Sequence, residues 1–311
     1  MAAVAVVLAL GVNRYVSAVS PPVVAVLSGA VLANAMAGRA SWERFRPGLA
    51  FVARRVLRVA IALLGLQIAM PQVLALGWQT LAIVAAATGV TFAVTPAIGR
   101  RMGLSPGTSL LVATGVSICG AAAVAAMRES SDSTDDDAAA ALSAVVLYGS
   151  AAIVVVPALA ALFGLSPAQL GVWTGAAVHE VAQVAAIGAA SGVLAAAVTV
   201  KLARVVLLAP LVALTSLRAG TAGKGRGPAI MPLFVAAFLV MVAVRSTGWV
   251  PEPVTQAVPP VTNVLMAAAL FGLGTGIDVR KLAKGGRAMA LGAVATALIA
   301  TISLIGVVVL L

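Results

Sequence analysis

Residues 110–127 read LLVATGVSICGAAAVAAM, and the organisation of the whole chain follows from what this stretch can form. The stretch is apolar and long enough to cross much of a lipid bilayer. Its centre nevertheless carries residues that suit a lipid-facing helix poorly: Thr114, Gly115, Ser117, Cys119 and Gly120. A break in a membrane helix is tolerated only where protein or a water-filled cavity satisfies the freed backbone groups. The stretch therefore predicts either a helix broken at a binding site or close helix packing through small residues.

The composition identifies the class of protein. Of the 311 residues, 62% are hydrophobic and only 9% are charged, a balance that soluble domains of ordinary composition do not show. Apolar runs of roughly 17–25 residues recur, the length that spans a hydrocarbon core, and they lack the period-two alternation of barrel strands. One cysteine and one histidine exclude an intrachain disulfide and a Cys-rich or multi-His metal site. We therefore predict a polytopic α-helical membrane protein without a cofactor.

The apolar runs predict about eleven transmembrane helices. These spans cover residues 1–18, 21–38, 49–69, 77–99, 107–128, 138–163, 168–190, 193–217, 229–248, 257–277 and 287–311. The first run lacks the basic start and the cleavage site of a signal peptide, so we interpret it as a short helix. No soluble domain of meaningful size is left beside the spans, which together form a single integral membrane domain.

The net charge of +11 indicates how the chain sits in a membrane rather than an affinity for nucleic acid. Basic residues cluster in the loops after spans 2, 4, 8 and 10, and the positive-inside rule makes those loops cytoplasmic. In a bacterial cytoplasmic (inner) membrane, the N-terminus is then predicted inside and the C-terminus outside. The acidic loop 129–137 is predicted outside, with Thr134 as the N-cap of span 6.

Two pairs of similar segments, at one common offset along the chain, indicate an internal repeat. Leu27–Ala30 matches Trp173–Ala176 through a pair of small residues, and Arg55–Val59 matches Lys201–Val205 through a basic pair. Five spans per half give the halves opposite orientations, as in many secondary transporters. The predicted organisation is an extra N-terminal helix (1–20), a first inverted repeat of spans 2–6 (21–163) and a second of spans 7–11 (164–311).

Span 10 is the counterpart of span 5 in this repeat, and it too contains a glycine-rich interruption. Its end reads LFGLGTGID at residues 270–278, so we predict two crossed broken helices, in spans 5 and 10. The N-terminus of a half-helix offers free N–H donors and a partial positive charge, which suits an anion. The predicted substrate-binding residues are Ser117, Cys119, Gly120, Gly272, Gly274, Thr275 and Gly276.

Ionisable residues inside the predicted spans form a second set of candidates. His179 and Glu180 lie mid-span, with Gln183 one helical turn further on, and intramembrane ionisable groups are functional candidates. Because histidine titrates near neutrality, we interpret this group either as the carrier of a coupled proton or as part of a structural ion pair. The candidate charge partners are Arg58, Lys201 and Arg204. Arg58 and Arg204 alternatively extend to the membrane interface.

Three segments carry a resemblance to a known family: GVSICGAAAVAA at 115–126, GAAVHEVAQVAA at 175–186 and LFGLGTGIDVRKL at 270–282. Over essentially its whole length, the chain resembles the YeiH-type family of proposed sulfate exporters in bacterial inner membranes. That family is similar to the superfamily of cation/proton antiporters and bile-acid symporters. The resemblance implies a 5+5 inverted repeat with crossed broken helices, two bundles that move against each other, and often a homodimer.

These features predict a secondary active transporter of a small anion, sulfate or a sulfonate, that works by alternating access with H⁺ or Na⁺ as the coupling ion. The alternative is a cation/proton antiporter that uses Glu180 and His179. Cys119-Gly120 stands where typical sodium/proton antiporters have paired aspartates, which disfavours that alternative. A membrane scaffold or sensor is disfavoured by the repeat. An enzyme with Cys119 as nucleophile is least favoured, because nothing in the sequence brings a base to its thiol.

Overall fold

The chain forms an all-helical bundle in a computed structural model that describes residues 11, 21–36, 40–218, 233–275 and 286–311. In chain order, the helices are α1 (Pro21–Ala35), α2 (Ala40–Phe51), α3 (Leu57–Leu64), α4 (Met70–Leu74), α5 (Gly77–Arg101), α6 (Pro106–Ser117), α7 (Ala121–Glu129), α8 (Asp135–Leu162), α9 (Pro167–Ala177), α10 (Val181–Ala190), α11 (Leu194–Val206), α12 (Leu208–Arg218), α13 (Leu233–Ser246), α14 (Glu252–Gly274) and α15 (Gly286–Leu310). A π-helical turn (Val52–Val56) precedes α3. Apart from Gly11, the predicted first span lies outside the described residues, and so does Gly276.

Five helical stretches in the described part of the chain are long and apolar enough to cross a membrane. They are Gly77–Arg101, Asp135–Leu162, Leu194–Thr215, Glu252–Gly272 and Gly286–Leu310. The third of these joins α11 to α12, which only a turn at Leu207 separates. These stretches agree with a polytopic helical membrane protein. The predicted count of eleven spans is not confirmed, because predicted spans 5 and 7 form the two hairpins described next.

Helices α6 and α7 form a re-entrant hairpin, called hairpin 1, instead of one crossing span. They are separated by a turn at residues 118–120. Gly115 and Val124 lie side by side, since a Cβ added to Gly115 would be 2.6 Å from Cγ2 of Val124, whereas one continuous helix separates residues nine apart by about 13 Å. At the base, Thr108 Oγ1 donates to Asp137 at 2.6 Å. The chain therefore returns to the side from which it entered.

Helices α9 and α10 form hairpin 2 in the same way, with the turn at residues 178–180. Gly171 is near the start of α9 and Gly188 is near the end of α10. Cβ atoms added to them would lie 3.5 Å from Val193 Cβ and 2.8 Å from Leu194 Cα, respectively. Both ends of the hairpin therefore meet the beginning of α11, although residues 17 apart would be separated by about 25 Å in one helix.

The two hairpins begin with the same tetrapeptide, Gly-Leu-Ser-Pro, at residues 103–106 and 164–167. Both glycines have a positive φ, 72° and 65°, which glycine adopts without steric cost. Each serine caps its helix by accepting a hydrogen bond from the N–H three residues on, at 3.0 Å and 3.2 Å, and each proline takes the first helical position. Thus α5 with hairpin 1 and α8 with hairpin 2 are two successive units of the same construction.

Helix α8 sets the hairpins on opposite sides of the bundle. It starts at the base of hairpin 1, where Thr134 forms the predicted N-cap, and ends after 28 residues near the base of hairpin 2. That length is about 42 Å, enough to cross a bilayer. The predicted placement of loop 129–137 opposite the loop before α6 is therefore wrong, because hairpin 1 brings both loops to one side. Hairpins 1 and 2 replace two predicted crossings, so the helices after hairpin 2 keep their predicted directions. The N-terminus is therefore still predicted inside and the C-terminus outside.

Helix α14 packs along α1, α3 and the π-helical turn. A Cβ added to Gly29 would lie 2.3 Å from the Phe271 carbonyl oxygen, and one added to Gly272 would lie 2.7 Å from the Leu49 carbonyl oxygen. Helix α14 is continuous through Gly274, so the break predicted for span 10 does not occur up to that residue. These glycines serve close packing, and the break that faces hairpin 1 lies in span 7.

Candidate functional site

The tips of the two hairpins meet at Lys201 on α11. Its Nζ donates to the carbonyl oxygen of Ile118 at 2.6 Å and to that of Val178 at 2.8 Å. Both carbonyls belong to tip residues just past a helix C-terminus, where backbone acceptors lack partners within the helix and the helix dipole is negative. The arms α6 and α9 are each about 16–18 Å long, roughly half the thickness of a hydrocarbon core.

Arg204, one turn further along α11, binds the same two tips. Its Nε and Nη2 donate to hairpin 1, at the carbonyl oxygens of Ser117 (3.1 Å) and Val116 (2.7 Å). Its Nη1 donates to hairpin 2, at those of Gly175 (3.1 Å) and Val178 (2.9 Å). Arg204 and Lys201 are both fully buried. The alternative that Arg204 extends to the membrane interface is therefore wrong.

Glu180 reaches across from hairpin 2 to hairpin 1. It is the N-cap of α10, in a capping box with Gln183, and its Oε1 accepts a hydrogen bond from the backbone N–H of Ala121 at 3.3 Å. Gly120 makes this approach possible, because an added Cβ would lie 2.6 Å from Glu180 Cγ. The carboxylate thus occupies the N-terminus of α7, one of the positions predicted to receive a substrate anion.

His179 turns away from hairpin 1 toward two long helices. Its Nδ1 lies 3.3 Å from the Val145 carbonyl oxygen on α8, and its Nε2 lies 3.2 Å from Thr296 Oγ1 on α15. The expectation that His179 and Glu180 continue one helix toward Gln183 is wrong, because residues 178–180 are the tip of hairpin 2. The tip conformation sends the two neighbouring side chains to different helices.

Several donors at the tips remain available for a ligand. Ser117 Oγ and Thr174 Oγ1 are buried without a hydrogen-bond partner among the described residues. Lys201 uses two of its three N–H groups and Arg204 four of its five in the bonds to the tips. The sequence does not single out Thr174 as a site residue. Its only signal is its position just before the tip of hairpin 2, and the sequence does not predict that tip. Cys119, also at the tip of hairpin 1, is buried.

The remaining predicted residues lie elsewhere. Gly272 and Gly274 are buried in α14, and Thr275 Oγ1 donates to the Gly272 carbonyl oxygen at 2.7 Å. Arg58 donates to Glu129 at the base of hairpin 1, with Nη2 at 2.5 Å from Oε2, so the structure does not make it a partner of Glu180. Of the predicted residues, the structure brings together those of span 5, span 7 and α11, and leaves those of α14 apart.

The charges of the site favour an anion. Two cations and one carboxylate, Lys201, Arg204 and Glu180, give the tips a formal excess of one positive charge in a buried environment. Ionised groups inside a membrane are costly and are retained where they function. No group of three or more His, Cys, Asp or Glu that could hold a metal ion occurs in the part of the chain that the structure describes.

Comparison with known proteins gives a consistent match along the chain. The family model described as Conserved hypothetical protein 698 matches residues 1–293. A UPF0324 membrane protein of Corynebacterium glutamicum is 37% identical over 98% of this chain and 90% of its own length. The UPF0324 membrane protein TauZ of Paracoccus denitrificans is 34% identical, over 84% of this chain and 79% of its own. A UPF0324 membrane protein of Bradyrhizobium diazoefficiens is 33% identical, over 86% of this chain and 80% of its own length. No solved structure matches the chain significantly.

Proposed function

The chain belongs to the UPF0324 family of membrane proteins, and from this premise we propose that it is a secondary active transporter of a small anion of the sulfate or sulfonate class. It works by alternating access in the bacterial inner membrane. Hairpin 1 and hairpin 2 enter from opposite sides, and each closes the site toward its own side. The broken pair in this proposal is spans 5 and 7, which are not equivalent positions in the predicted 5+5 inverted repeat of spans 2–6 and 7–11, so that repeat is not part of it. We also expect a homodimer without enzymatic activity.

One observation carries the proposal: unused hydrogen-bond donors surround the buried cations that hold the tips together. Counting the bonds among the described residues, Lys201 and Arg204 each retain one N–H group, while Ser117 and Thr174 each retain a hydroxyl. The oxygens of a sulfate or sulfonate group accept hydrogen bonds from such donors, and bonds to ionised groups are the stronger ones. A metal cation would meet two positive charges here, which disfavours it.

We place the coupling on Glu180. Its carboxylate binds Ala121 N–H at the N-terminus of α7, so it competes with a substrate anion for the same positive end of a helix dipole. A proton on Glu180 removes that competition and the repulsion between two anions. Proton and substrate therefore favour each other's binding, which is the condition for coupled movement. Sodium in place of the proton is the second form of this hypothesis.

A cation/proton antiporter is the other candidate, favoured by the buried carboxylate of Glu180 beside His179. In that case the cation binds Glu180 in exchange for a proton. Lys201 and Arg204 argue against it, since they occupy the tip carbonyls that would otherwise be ligands for a cation. The two candidates differ in whether a proton flux needs an anion or a metal cation.

The test is transport by the purified protein in liposomes. Uptake and efflux of radiolabelled sulfate, and competition by a panel of sulfonates and other small anions, are measured with and without a pH gradient. We expect saturable anion flux that the pH gradient changes. Sodium-driven proton flux without any anion would establish the antiporter instead. Absence of anion flux under every gradient, from protein shown to be folded, would overturn the proposal.

A further inference from the structure

A groove at the base of hairpin 1 carries chemistry that the transport site does not use. Its volume is about 500 Å³, and it lies between the π-helical turn, α3, the end of α7 and the beginning of α13. The side chains that define it are Arg55, Arg58, Val59, Glu129, Leu233 and Phe234. We propose that this groove binds an anionic phospholipid, with the phosphate on the arginines and an acyl chain along the apolar wall.

The polar end of the groove has an excess of positive charge. Arg58 donates to Glu129 Oε2 through Nε at 3.0 Å and Nη2 at 2.5 Å, so this pair is electrically balanced. Arg55 is exposed, and no carboxylate among the described residues forms an ion pair with it. A phosphate diester complements the unpaired guanidinium, because arginine binds phosphate oxygens through two parallel hydrogen bonds.

The wall of the groove indicates a lipid rather than a free anion. Val59 is 53% exposed and Leu233 is 86% exposed, and both lie beside the arginines together with the buried ring of Phe234. An apolar surface of this kind is unfavourable against water and favourable against an acyl chain. A soluble anion would use the guanidinium alone, whereas a phospholipid uses the charge and the apolar wall together.

The position along the chain agrees with this assignment. Arg55 and Arg58 continue the basic segment that begins at Arg39, which the charge pattern predicts to be cytoplasmic. Basic pockets between helices on that side of a membrane bind anionic headgroups. Because Glu129 is the last residue of α7, an occupant of the groove also touches the base of hairpin 1. The proposal does not depend on the identity of the transported substrate.

The experiment measures phospholipid binding to the full-length protein. Purified protein in detergent is titrated with phosphatidylglycerol, phosphatidylcholine or glycerol 3-phosphate, and bound lipid is counted by native mass spectrometry beside the thermal unfolding midpoint. We expect phosphatidylglycerol to bind preferentially and to raise the midpoint. Arg55→Gln should weaken its binding about fivefold, the change expected for the loss of one basic contact near a membrane surface.

Two further variants separate this site from a general surface charge. Arg101→Gln removes an exposed arginine at the end of α5, outside the groove, and should leave the preference intact. Glu129→Gln frees Arg58 and should strengthen phosphatidylglycerol binding. Equal binding of phosphatidylcholine, or unchanged binding in folded Arg55→Gln protein, would overturn the proposal. An equal effect of glycerol 3-phosphate at the same concentration would also overturn it, in favour of a site for soluble anions.

Discussion

Hairpin 1 and hairpin 2 share a construction and differ in the chemistry of their tips. Both start with Gly-Leu-Ser-Pro and both give tip carbonyls to Lys201 and Arg204. The tip of hairpin 1 carries no ionisable group other than Cys119, and Gly120 there has φ of 75°. The tip of hairpin 2 carries His179 and Glu180, and its backbone is ordinary, with φ of −72° at Val178 and −107° at Glu180.

This difference assigns the hairpins separate tasks. Hairpin 1 offers backbone: carbonyls that bind the cations and the N–H of Ala121 that binds Glu180. Hairpin 2 supplies ionisable side chains, His179 and Glu180. A tip that offers backbone groups and has glycine at a positive φ thus faces a charged tip with ordinary backbone. Substitutions in the two tips should therefore act through different causes. The variants that follow are ordered from the largest expected effect to the smallest.

Arg204→Met should have the largest effect, because it removes the contact that the hairpins share. Four carbonyls each lose a hydrogen bond, two in each hairpin, although Val178 keeps Lys201 Nζ as a donor. Buried acceptors left without a partner cost about 1–3 kcal/mol each. We expect a lower thermal unfolding midpoint in detergent and no anion transport in liposomes.

Arg100→Met is the matched control, since Arg100 is exposed at the end of α5; its midpoint and transport should stay close to wild type. Arg204→Lys keeps the charge but supplies at most three donors, so it should recover part of the stability and little of the transport. If Arg204→Met unfolds at the same temperature as wild type, the two tips are not held together by this residue and the comparison between them fails.

Gly120→Ala should be the next most damaging, and it acts on hairpin 1 alone. Its backbone conformation is one that residues other than glycine adopt at a cost of about 1–3 kcal/mol, and the new Cβ would lie 2.6 Å from Glu180 Cγ. We expect a lower midpoint and a severe loss of transport, measured as in the preceding test. Gly89→Ala, in open space on α5, should be neutral or slightly stabilising.

The double variant Gly120→Ala/Glu180→Ala tells the two causes apart. If the clash dominates, removing Glu180 rescues part of the stability, and the two substitutions are not additive. If backbone strain dominates, the double variant is no more stable than Gly120→Ala. Wild-type stability in Gly120→Ala would contradict the need for glycine at the tip of hairpin 1.

The sequence predicted one of the two tips, and the reason lies in their composition. Ser117, Cys119 and Gly120 interrupt an apolar run visibly, so the break in span 5 was expected. The tip at residues 178–180 contains no glycine, and its Val-His-Glu fits an amphipathic helix. Hydropathy also cannot separate a hairpin of two short arms from one crossing helix, because both need about the same number of apolar residues.

The glycines of span 10 predict a break that the structure does not show up to Gly274, because glycine has two uses in membrane helices. Gly272 and Gly29 serve close packing against Leu49 and Phe271, which is the second interpretation that the first stretch had left open. The repeated Gly-Leu-Ser-Pro at residues 103–106 and 164–167 was the available signal for the true pair. Its two copies precede the tips at residues 118–120 and 178–180 by nearly the same distance in the sequence.

Glu180→Gln should change the coupling more than the rate, since it alters only the charge at the tip of hairpin 2. The amide oxygen can still accept the hydrogen bond from Ala121 N–H, which Glu180 Oε1 accepts at 3.3 Å. Under the proposal, anion flux through Glu180→Gln no longer responds to a pH gradient, whereas wild-type flux does. Flux measured at several pH gradients in liposomes checks this. Gln183→Glu is not a suitable control, because it adds a charge to the capping box of α10. A pH response equal to that of the wild type would remove Glu180 from the coupling.

Cys119→Ala should have the smallest effect, and it tests whether residues 118–120, the tip of hairpin 1, act through their backbone. The thiol belongs to a buried tip residue, and removing it should cost about 1 kcal/mol of stability, a typical value for a single substitution. The candidate base His179 has its ring nitrogens directed at Val145 on α8 and Thr296 on α15. A nucleophile needs its base within hydrogen-bond reach, so anion transport by Cys119→Ala should persist. Complete loss of transport in folded Cys119→Ala protein would give hairpin 1 a chemical side chain of its own, and the division of tasks between the two tips would no longer hold.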